Sequence, residues 1–230
     1  MQKIISSLCK YYYAIRFGNK LKIHNAILRR VKIHIADAQN IAVYDNVSVF
    51  DSEFSIVGSG NSFSIDKSPN LISGLSVKIF GEGNRLVIEK GATICGLRIV
   101  IRGKNCHVNI GSNFSENINC MIVCMGNNKT IEIGQDCMLS ENIDIWNTDS
   151  HQITDMQGSI INLNNNVKIG NHVWIGKKAS ILKGVTIGSD SVVGMSSVVT
   201  SDMDNNSIYV GNPARKVHDN INWKINFNLT

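Results

Sequence analysis

Long apolar stretches are missing from this chain of 230 residues, and proline is scarce. The apolar run from Ile4 to Cys9 stops at Lys10, which is too short for the apolar core of a signal peptide or for a membrane span. We therefore expect no export. Two prolines stand beside nineteen glycines and many Val, Ile, Ser and Asn residues. This composition is typical of a β-rich chain with tight corners and argues against a helical bundle.

Paired cysteines and runs of one charge are also missing. None of the cysteines forms a CxxC pair or has the spacing of a zinc site: Cys9, Cys95, Cys106, Cys120, Cys124 and Cys137. We interpret them as reduced thiols of a cytoplasmic protein. The formal net charge of +5 is spread along the chain without a run of five basic residues, so we do not expect nucleic-acid binding. A local basic patch for a phosphorylated cofactor remains compatible with this pattern.

A six-residue repeat is the clearest pattern in the chain. Between Ile169 and Ser201 an aliphatic residue recurs at every sixth position, at Ile169, Ile175, Ile181, Ile187, Val193 and Val199. A period of six suits short strands joined by corners, so that three units form one coil and successive coils stack about 4.8 Å apart. The repeat therefore predicts an all-β protein, a parallel β-helix with the aliphatic residues pointing inward.

The period continues upstream in weaker form, at Ile133, Leu139 and Ile145. The step from Ile145 to Ile169 equals four whole units, so the register survives an interruption. Earlier pairs such as Phe54 and Ile56 indicate short strands whose spacing varies. We expect irregular coils in that part of the chain.

These patterns predict one main domain. We expect a β-helix over residues 31–215, a short helical or irregular cap over residues 1–30, and a tail over residues 216–230. Residues 3–30 combine tyrosines with several Lys and Arg residues. They fit a helix that covers the first coil, or a basic helix that makes weak contact with a membrane surface.

Several segments resemble the hexapeptide-repeat acyltransferases, in little more than the last third of the chain. They read IGQDCMLSENIDIWNTDSH, VKIGNHVWIGKKASILKGVTIG, VVGMSSVVT and GNPARKV. They are most similar to maltose and galactoside acetyltransferases and to bacterial capsule and O-antigen O-acetyltransferases, including those that modify polysialic acid. The resemblance implies a left-handed β-helix and a homotrimer with active sites between subunits. It also implies acetyl-CoA as acyl donor, a saccharide acceptor and no metal.

The repeat is interrupted over residues 148–166, and loops on rigid scaffolds often carry function. His151 lies at the start of this loop, and in the matching motif a histidine is the general base that deprotonates the acceptor hydroxyl. An ordinary polar loop residue is the alternative. Asp149 either accepts a hydrogen bond from the other ring nitrogen or forms a turn. By resemblance, Asn117 lies near the reacting groups, where its amide would donate to the oxyanion; a coil corner is the alternative.

Two tryptophans are expected to face outward. Trp146 follows inward-facing Ile145, and Trp174 precedes inward-facing Ile175. An outward Trp146 is expected to cover a sugar or a neighbouring subunit. The resemblance places Trp174 in the cofactor channel, with trimer packing as the alternative.

The predicted cofactor-binding residues lie on or near the corners of the repeat: Trp174, Gly176, Lys177, Lys183, Gly194, Met195, Thr200, Ser201 and Arg215. The resemblance implies contacts from Lys177, Met195, Thr200 and Ser201, and a phosphate contact from Arg215. The two glycines would allow close approach of a ligand, and Lys183 adds a cation. Relatives usually carry small residues where this chain has Met195 and Ser196, so the channel is expected to be narrower there.

Three other functions fit parts of the pattern. An N-acetyltransferase of an amino-sugar nucleotide would use the same histidine loop. A non-catalytic β-helix scaffold would not need the histidine loop, the outward tryptophans and Arg215 together. A γ-class carbonic anhydrase would need three histidines around a metal, and only His151 and His172 fall in the regular region.

Overall fold

The computed structural model describes residues 18–225, which form strands and no helix. The chain winds through three sheets in turn, adding one strand to each sheet per coil. All strand pairings within the sheets are parallel except the one between the last two strands. The prediction of an all-β parallel β-helix is confirmed.

Sheets 1, 2 and 3 are named in the order in which the chain first enters them. Sheet 1 contains β1 (Lys20–His24), β4 (Ile41–Asp45), β7 (Ser62–Ile65), β10 (Arg85–Ile88), β13 (His107–Ile110), β16 (Thr130–Ile133), β19 (Val167–Ile169) and β22 (Thr186–Ile187). Sheet 2 contains β2 (Ile27–Arg29), β5 (Val47–Phe50), β8 (Ser68–Ser73), β11 (Thr93–Cys95), β14 (Ser115–Glu116), β17 (Met138–Leu139), β20 (Trp174–Ile175), β23 (Val192–Val193), β25 (Ile208–Val210) and β26 (Arg215–His218). Sheet 3 contains β3 (Lys32–Ile35), β6 (Glu53–Ser59), β9 (Ser76–Glu82), β12 (Arg98–Lys104), β15 (Met121–Asn127), β18 (Asp144–Trp146), β21 (Ser180–Ile181) and β24 (Val198–Val199).

The first coil begins earlier than the sequence predicted. The cap expected over residues 1–30 is not helical or irregular from Lys20 onward, because β1 and β2 already pair with β4 and β5. Residues 1–17 of that predicted cap lie outside the described residues. At the other end, β26 forms an antiparallel hairpin with β25, and Trp223 packs against His172 with ring centroids 4.2 Å apart.

The hexad residues form the core of the last coils. Each of the aliphatic positions from Ile169 to Val199 is at most 2% exposed, and the sheets stack them in register. The residues two positions earlier, such as Ala179 and Ser197, are buried at the corners. The inward orientation predicted for the repeat is confirmed.

The earlier coils are longer than the last ones and differ in length from one another, and β5 pairs with β8 through a register shift between Val47 and Val49, as expected for irregular coils. In sheet 3, Phe54 pairs with Val77, Val77 with Ile99 and Ile99 with Ile122, so each of these coils is longer than three hexapeptide units. In the last coils Ile181 pairs with Val199, a step of three units. The extra residues of the early coils lengthen the strands of sheet 3 and the corner that follows them.

A column of buried asparagines holds this longer corner. Asn61 donates to Asn40 Oδ1 at 3.0 Å and to the Gly81 carbonyl at 2.8 Å, and its own Oδ1 accepts from the Asn84 backbone at 3.0 Å. Each amide therefore satisfies backbone groups of the coils on both sides, as buried polar groups require. The column ends where Cys106 N donates to Asn84 Oδ1.

Two further findings concern the described residues alone. Between residues 18 and 225 no helical segment has the length and apolarity needed to cross a bilayer. The cysteines in the same range are all free thiols: Cys95, Cys106, Cys120, Cys124 and Cys137.

Candidate active site

The catalytic loop predicted over residues 148–166 leaves the edge between sheets 3 and 1, hereafter the 3–1 edge, after β18. Asn147, which is fully buried, fixes its start by exchanging two hydrogen bonds with the backbone of Met125, at 2.7 and 3.0 Å. The return of the loop is fixed by Asn165, whose N–H donates to the Asn147 carbonyl. Hydrogen bonds to the β-helix therefore hold the loop at both of its ends.

Asn162 organises the interior of this loop. Its Oδ1 accepts from the Ile153 backbone at 2.7 Å, and its Nδ2 donates both to Asp149 Oδ2 and to the His151 carbonyl at 2.8 Å. Asn162 thus fixes the backbone at His151. The sequence does not single out Asn162, because nothing in its spacing distinguishes it from the other asparagines of the loop.

His151 is exposed, and no side chain among residues 18–225 hydrogen-bonds to its ring. Asp149 does not orient it. The Asp149 carboxylate instead accepts from Lys183 Nζ at 2.5 Å and from Asn162, and the hydrogen bond from Lys183 lowers the pKa of Asp149 below its ordinary value. The Asp149 side chain ties the loop to the scaffold and leaves the imidazole available for a substrate.

Lys183 therefore lies beside the catalytic loop, where it also donates to the Asn162 carbonyl at 3.1 Å. Thr200 and Ser201 follow β24 at the same 3–1 edge and are exposed. These three predicted cofactor residues share an edge with His151.

The other predicted cofactor residues lie at the opposite side of sheet 3, on the edge between sheets 2 and 3, hereafter the 2–3 edge. Trp174 is 37% exposed, and its Nε1 donates to Ser140 Oγ at 3.1 Å. Lys177 forms an ion pair with Glu141 at 2.5 Å. Met195 is 67% exposed one coil further on.

Arg215 lies near the end of this same edge, beyond Met195. It is exposed and pairs with Val210 in the terminal hairpin. The 2–3 edge thus presents an aromatic ring, an exposed thioether and two cations in succession. Such a mixture suits a ligand with an apolar arm and a phosphate end.

Gly176 and Gly194 have a structural explanation. A Cβ on Gly176 would lie 2.8 Å from Met195 N, and one on Gly194 would lie 2.6 Å from a methyl group of Val210. The stacking of neighbouring coils is therefore enough to require glycine at both positions, whether or not a ligand binds there.

Trp146 is half-buried on the outer side of sheet 3, and its Nε1 donates to Asp144 Oδ1 at 3.3 Å. The outward orientation predicted for Trp146 and Trp174 is thus observed. The roles assigned to both rings stay predictions.

Asn117 lies on the 2–3 edge, far from His151 of the same chain. It is exposed, and its backbone N–H donates to the Leu139 carbonyl. Its neighbour Glu116 is only 3% exposed and occupies the inward column of sheet 2, where Ile94 and Leu139 flank it. Glu116 Oε2 accepts from Cys95 N at 3.0 Å, whereas Oε1 has no partner.

Burial raises the pKa of Glu116 above the ordinary carboxyl value. Sequence analysis missed this residue. Its inward position becomes visible only when Glu116 is aligned with Leu139, its partner in the next coil.

The candidate residues of one chain thus form two groups on opposite sides of sheet 3. From Lys177 to Lys183 the chain crosses the width of sheet 3 in six residues, a span of at most about 20 Å at roughly 3.3 Å per residue. His151 and Trp174 of one chain therefore lie on opposite sides of sheet 3. No group of three His, Cys, Asp or Glu side chains suited to a metal ion occurs within residues 18–225.

Comparison with known proteins agrees with this architecture. The family described as bacterial transferase hexapeptide (six repeats) matches residues 166–201. The solved structure of the polySia specific acetyltransferase NeuO is 26% identical, covers 93% of this chain and 87% of its own, and has a TM-score of 0.71. The solved structure of the polysialic acid O-acetyltransferase OatWY is 25% identical to this chain. The match covers 93% of this chain and 94% of that one, with a TM-score of 0.60.

A maltose O-acetyltransferase from Clostridium difficile 630 is 34% identical over 53% of this chain and 66% of its own, with a TM-score of 0.41. No curated protein sequence gives a significant match. The hexapeptide repeat, and the likeness to two acetyltransferases along nearly the whole chain, support an acyltransferase activity for this protein.

Proposed function

We propose that the protein transfers the acetyl group of acetyl-CoA to a hydroxyl group of a bacterial glycan, with His151 as general base. The observation that carries this proposal is the placement of His151. It stands on a loop fixed at both ends, with its imidazole free of protein partners among the described residues. A general base needs such access to the proton that it abstracts.

The proposed reaction is a direct transfer. The neutral imidazole of His151 takes the proton of the acceptor hydroxyl while that oxygen attacks the thioester carbonyl carbon. The tetrahedral intermediate then collapses, the carbon–sulfur bond breaks, and the imidazolium returns the proton to the leaving thiolate of CoA. The side-chain amide of Asn117 from a second subunit would donate a hydrogen bond to the oxyanion.

We propose that the site forms between subunits of a homotrimer. His151 is on the 3–1 edge, whereas Trp174, Lys177, Arg215 and Asn117 are on the 2–3 edge, at the other side of sheet 3. Rotation about a three-fold axis brings one edge of each chain to the other edge of its neighbour. The split of the candidate residues supports this assembly.

The 2–3 edge of the neighbour would then hold acetyl-CoA. Exposed Arg215 suits the phosphates of the nucleotide end, and Trp174 and Met195 offer apolar surface to the pantetheine arm. The ion pair with Glu141 holds Lys177 at this edge.

The likeness to NeuO and OatWY, which are named for acetylation of polysialic acid, supports a sialic acid polymer as the first acceptor to test. The O-acetyl product distinguishes this proposal from N-acetylation of an amino-sugar nucleotide. Mass spectrometry of acceptors incubated with labelled acetyl-CoA would locate the label. Label on the nitrogen of an amino-sugar nucleotide, and none on a glycan hydroxyl, would contradict the proposal.

The His151→Ala variant tests the mechanism. We expect kcat to fall roughly 10²–10⁴-fold, the usual contribution of a general base, while the Kd for acetyl-CoA stays unchanged. His107→Ala is a matched control, because His107 is an exposed histidine on sheet 1. Full activity of the His151→Ala variant would refute the role of His151.

A further inference from the structure

The charge of the chain is distributed very unevenly along its length. Eight of its 23 basic residues and none of its 18 acidic residues lie in the first 36 positions, so the remaining 194 positions carry a formal charge of −3. The eight are Lys3, Lys10, Arg16, Lys20, Lys22, Arg29, Arg30 and Lys32. Charge asymmetry of this kind is typical of proteins that bind an anionic surface.

The fold gathers the described part of this charge at one end of the β-helix. β1, β2 and β3 are the first strands of their sheets, and each pairs on one side only within the described chain. Their side chains Lys20, Lys22, Arg29 and Lys32 are exposed. We call this surface, with Ile23 and Ile27, the first-coil end.

Acidic groups neutralise only part of the first-coil end. Asp51 accepts from Arg30 and also interacts with Arg29, His24 pairs with Asp45 at 2.6 Å, and exposed Glu53 lies opposite Lys32 in the next strand. Among the residues that the structure describes, Lys20, Lys22 and Lys32 form no ion pair. Their charge is available to a partner.

The first-coil end also exposes apolar side chains. Ile23 is 41% exposed and Ile27 is 61% exposed, and Ile23 is the first residue of an inward column of sheet 1, where its partner is Tyr44. Lysines on open strand edges protect a protein against strand addition, but exposed isoleucines do the opposite. Edge protection alone therefore does not explain the composition of this end.

We propose that the first-coil end docks the enzyme on an anionic lipid surface. Lys and Arg would meet the headgroups, and the two isoleucines would enter the boundary between headgroups and acyl chains. A polar glycan polymer would be attracted by the same cations but would have no use for the isoleucines. This combination of charge and apolar surface favours lipid over an anionic polymer as the partner.

Docking would also set the height of the active site. From β3 to β18, where the catalytic loop begins, sheet 3 contains five inter-strand steps, which place the loop about 24 Å from the lipid at roughly 4.8 Å per step. This step rests on the proposed trimer. If the three-fold axis of that trimer runs parallel to the β-helix, the first-coil ends of all three subunits face the same plane. Three weak contacts would then act together.

The test is sedimentation of the full chain with vesicles of phosphatidylcholine alone or of phosphatidylcholine mixed two to one with anionic phosphatidylglycerol. We expect binding only to the anionic vesicles and a steep loss of binding as salt rises to about 0.5 M.

A quadruple variant carries Lys20→Gln, Lys22→Gln, Arg29→Gln and Lys32→Gln. Its partition onto anionic vesicles should fall at least about 100-fold.

The matched control removes the same number of exposed charges from other coils, by Lys67→Gln, Arg85→Gln, Lys90→Gln and Lys168→Gln. The control should bind as the unmodified chain does. A second variant, Ile23→Ser with Ile27→Ser, keeps the charge and should weaken binding without changing its salt dependence. This variant and the salt titration keep the proposal testable if the quadruple variant fails to fold.

Three results would overturn the proposal: no binding to anionic vesicles, equal binding to neutral vesicles, or unchanged binding of the quadruple variant. Binding of soluble polysialic acid by the first-coil end without vesicle binding would likewise overturn it and assign this end to the glycan. Acetyl transfer to a soluble acceptor is measured on the same samples. Absence of acetyl transfer by the unmodified chain refutes the proposed function, whereas absence of vesicle binding by the unmodified chain with transfer intact refutes only the docking.

Discussion

Glu116 stands in a column of aliphatic residues and has one carboxylate oxygen without a partner among the described residues. Buried charge is costly, so the side chain favours its protonated form, and the pKa of Glu116 is raised. Below the ordinary carboxyl pKa, Glu116 is protonated in both the folded and the unfolded chain. As pH rises toward the folded pKa, only the unfolded chain releases its proton, so stability falls.

The Glu116→Gln variant should therefore gain stability relative to the unmodified chain as pH rises from about 4 to 8. The amide keeps an oxygen for Cys95 N and carries no charge. Each unit by which burial raises the pKa corresponds to about 1.4 kcal/mol of unfolding free energy. Urea unfolding at a series of pH values measures the difference.

Glu132→Gln is the control, because Glu132 is exposed on sheet 1. Its difference from the unmodified chain should stay flat over the same pH range. If the Glu116→Gln difference is equally flat, the Glu116 carboxyl does not titrate in the way that its burial implies.

At the scale of single residues, sequence analysis located His151 but not its surroundings. A six-residue period identifies where the scaffold is interrupted, and it turns Trp174 outward. It says nothing about contacts inside the loop. The hydrogen bonds of Asn162 and the ion pair between Asp149 and Lys183 depend on the path of an irregular backbone, so the proposed orientation of His151 by Asp149 was not observed.

At the scale of elements, the early coils repeat a motif that sequence analysis overlooked. The segments are Gly58-Ser-Gly-Asn61, Gly81-Glu-Gly-Asn84, Gly103-Lys-Asn-Cys106 and Gly126-Asn-Asn-Lys129. The first glycines of successive segments pair with one another in sheet 3, so the segments recur once per coil. A search for six-residue units does not find these segments, because they lie in the corners and recur once per coil, at an interval longer than three hexapeptide units.

The first glycine of this motif is required by the neighbouring coil. Gly81 has φ +116°, and a Cβ there would lie 2.0 Å from the Gly103 carbonyl oxygen. Gly81→Ala should therefore lower the free energy of unfolding by at least about 2 kcal/mol, from backbone strain and overpacking together. Thermal or urea unfolding measures the loss.

Gly60→Asn is the matched substitution at the same corner. Gly60 has φ +66° with the nearest contact 3.9 Å from a Cβ, and Asn105 and Asn128 hold the equivalent position in later coils at φ 52°. Asparagine tolerates this conformation, so stability should change by less than about 1 kcal/mol. Equal losses in the two variants would mean that the stacking of carbonyl against glycine does not control this corner.

At the scale of the whole molecule, the proposed division of the site between the two edges of sheet 3 predicts how activity depends on assembly. If each site takes His151 from one chain and Trp174 and Arg215 from the next, then two inactive variants complement each other. One variant is His151→Ala, and the other combines Trp174→Ala with Arg215→Ala. Each is expected to be nearly inactive alone.

Co-expression of the two variants with different affinity tags, followed by purification on both tags, isolates mixed trimers. Random assembly of equal amounts places intact groups from both edges in about one quarter of all sites. Activity of the unselected mixture should therefore reach about one quarter of the unmodified value, and a mixture combined after separate purification should stay inactive if trimers do not exchange. A site contained within one chain has no intact copy in any mixture, so it would give no recovery. Because the two outcomes differ by the presence or absence of activity, this experiment decides between an intersubunit site and a single-chain site even when trimer formation is already known.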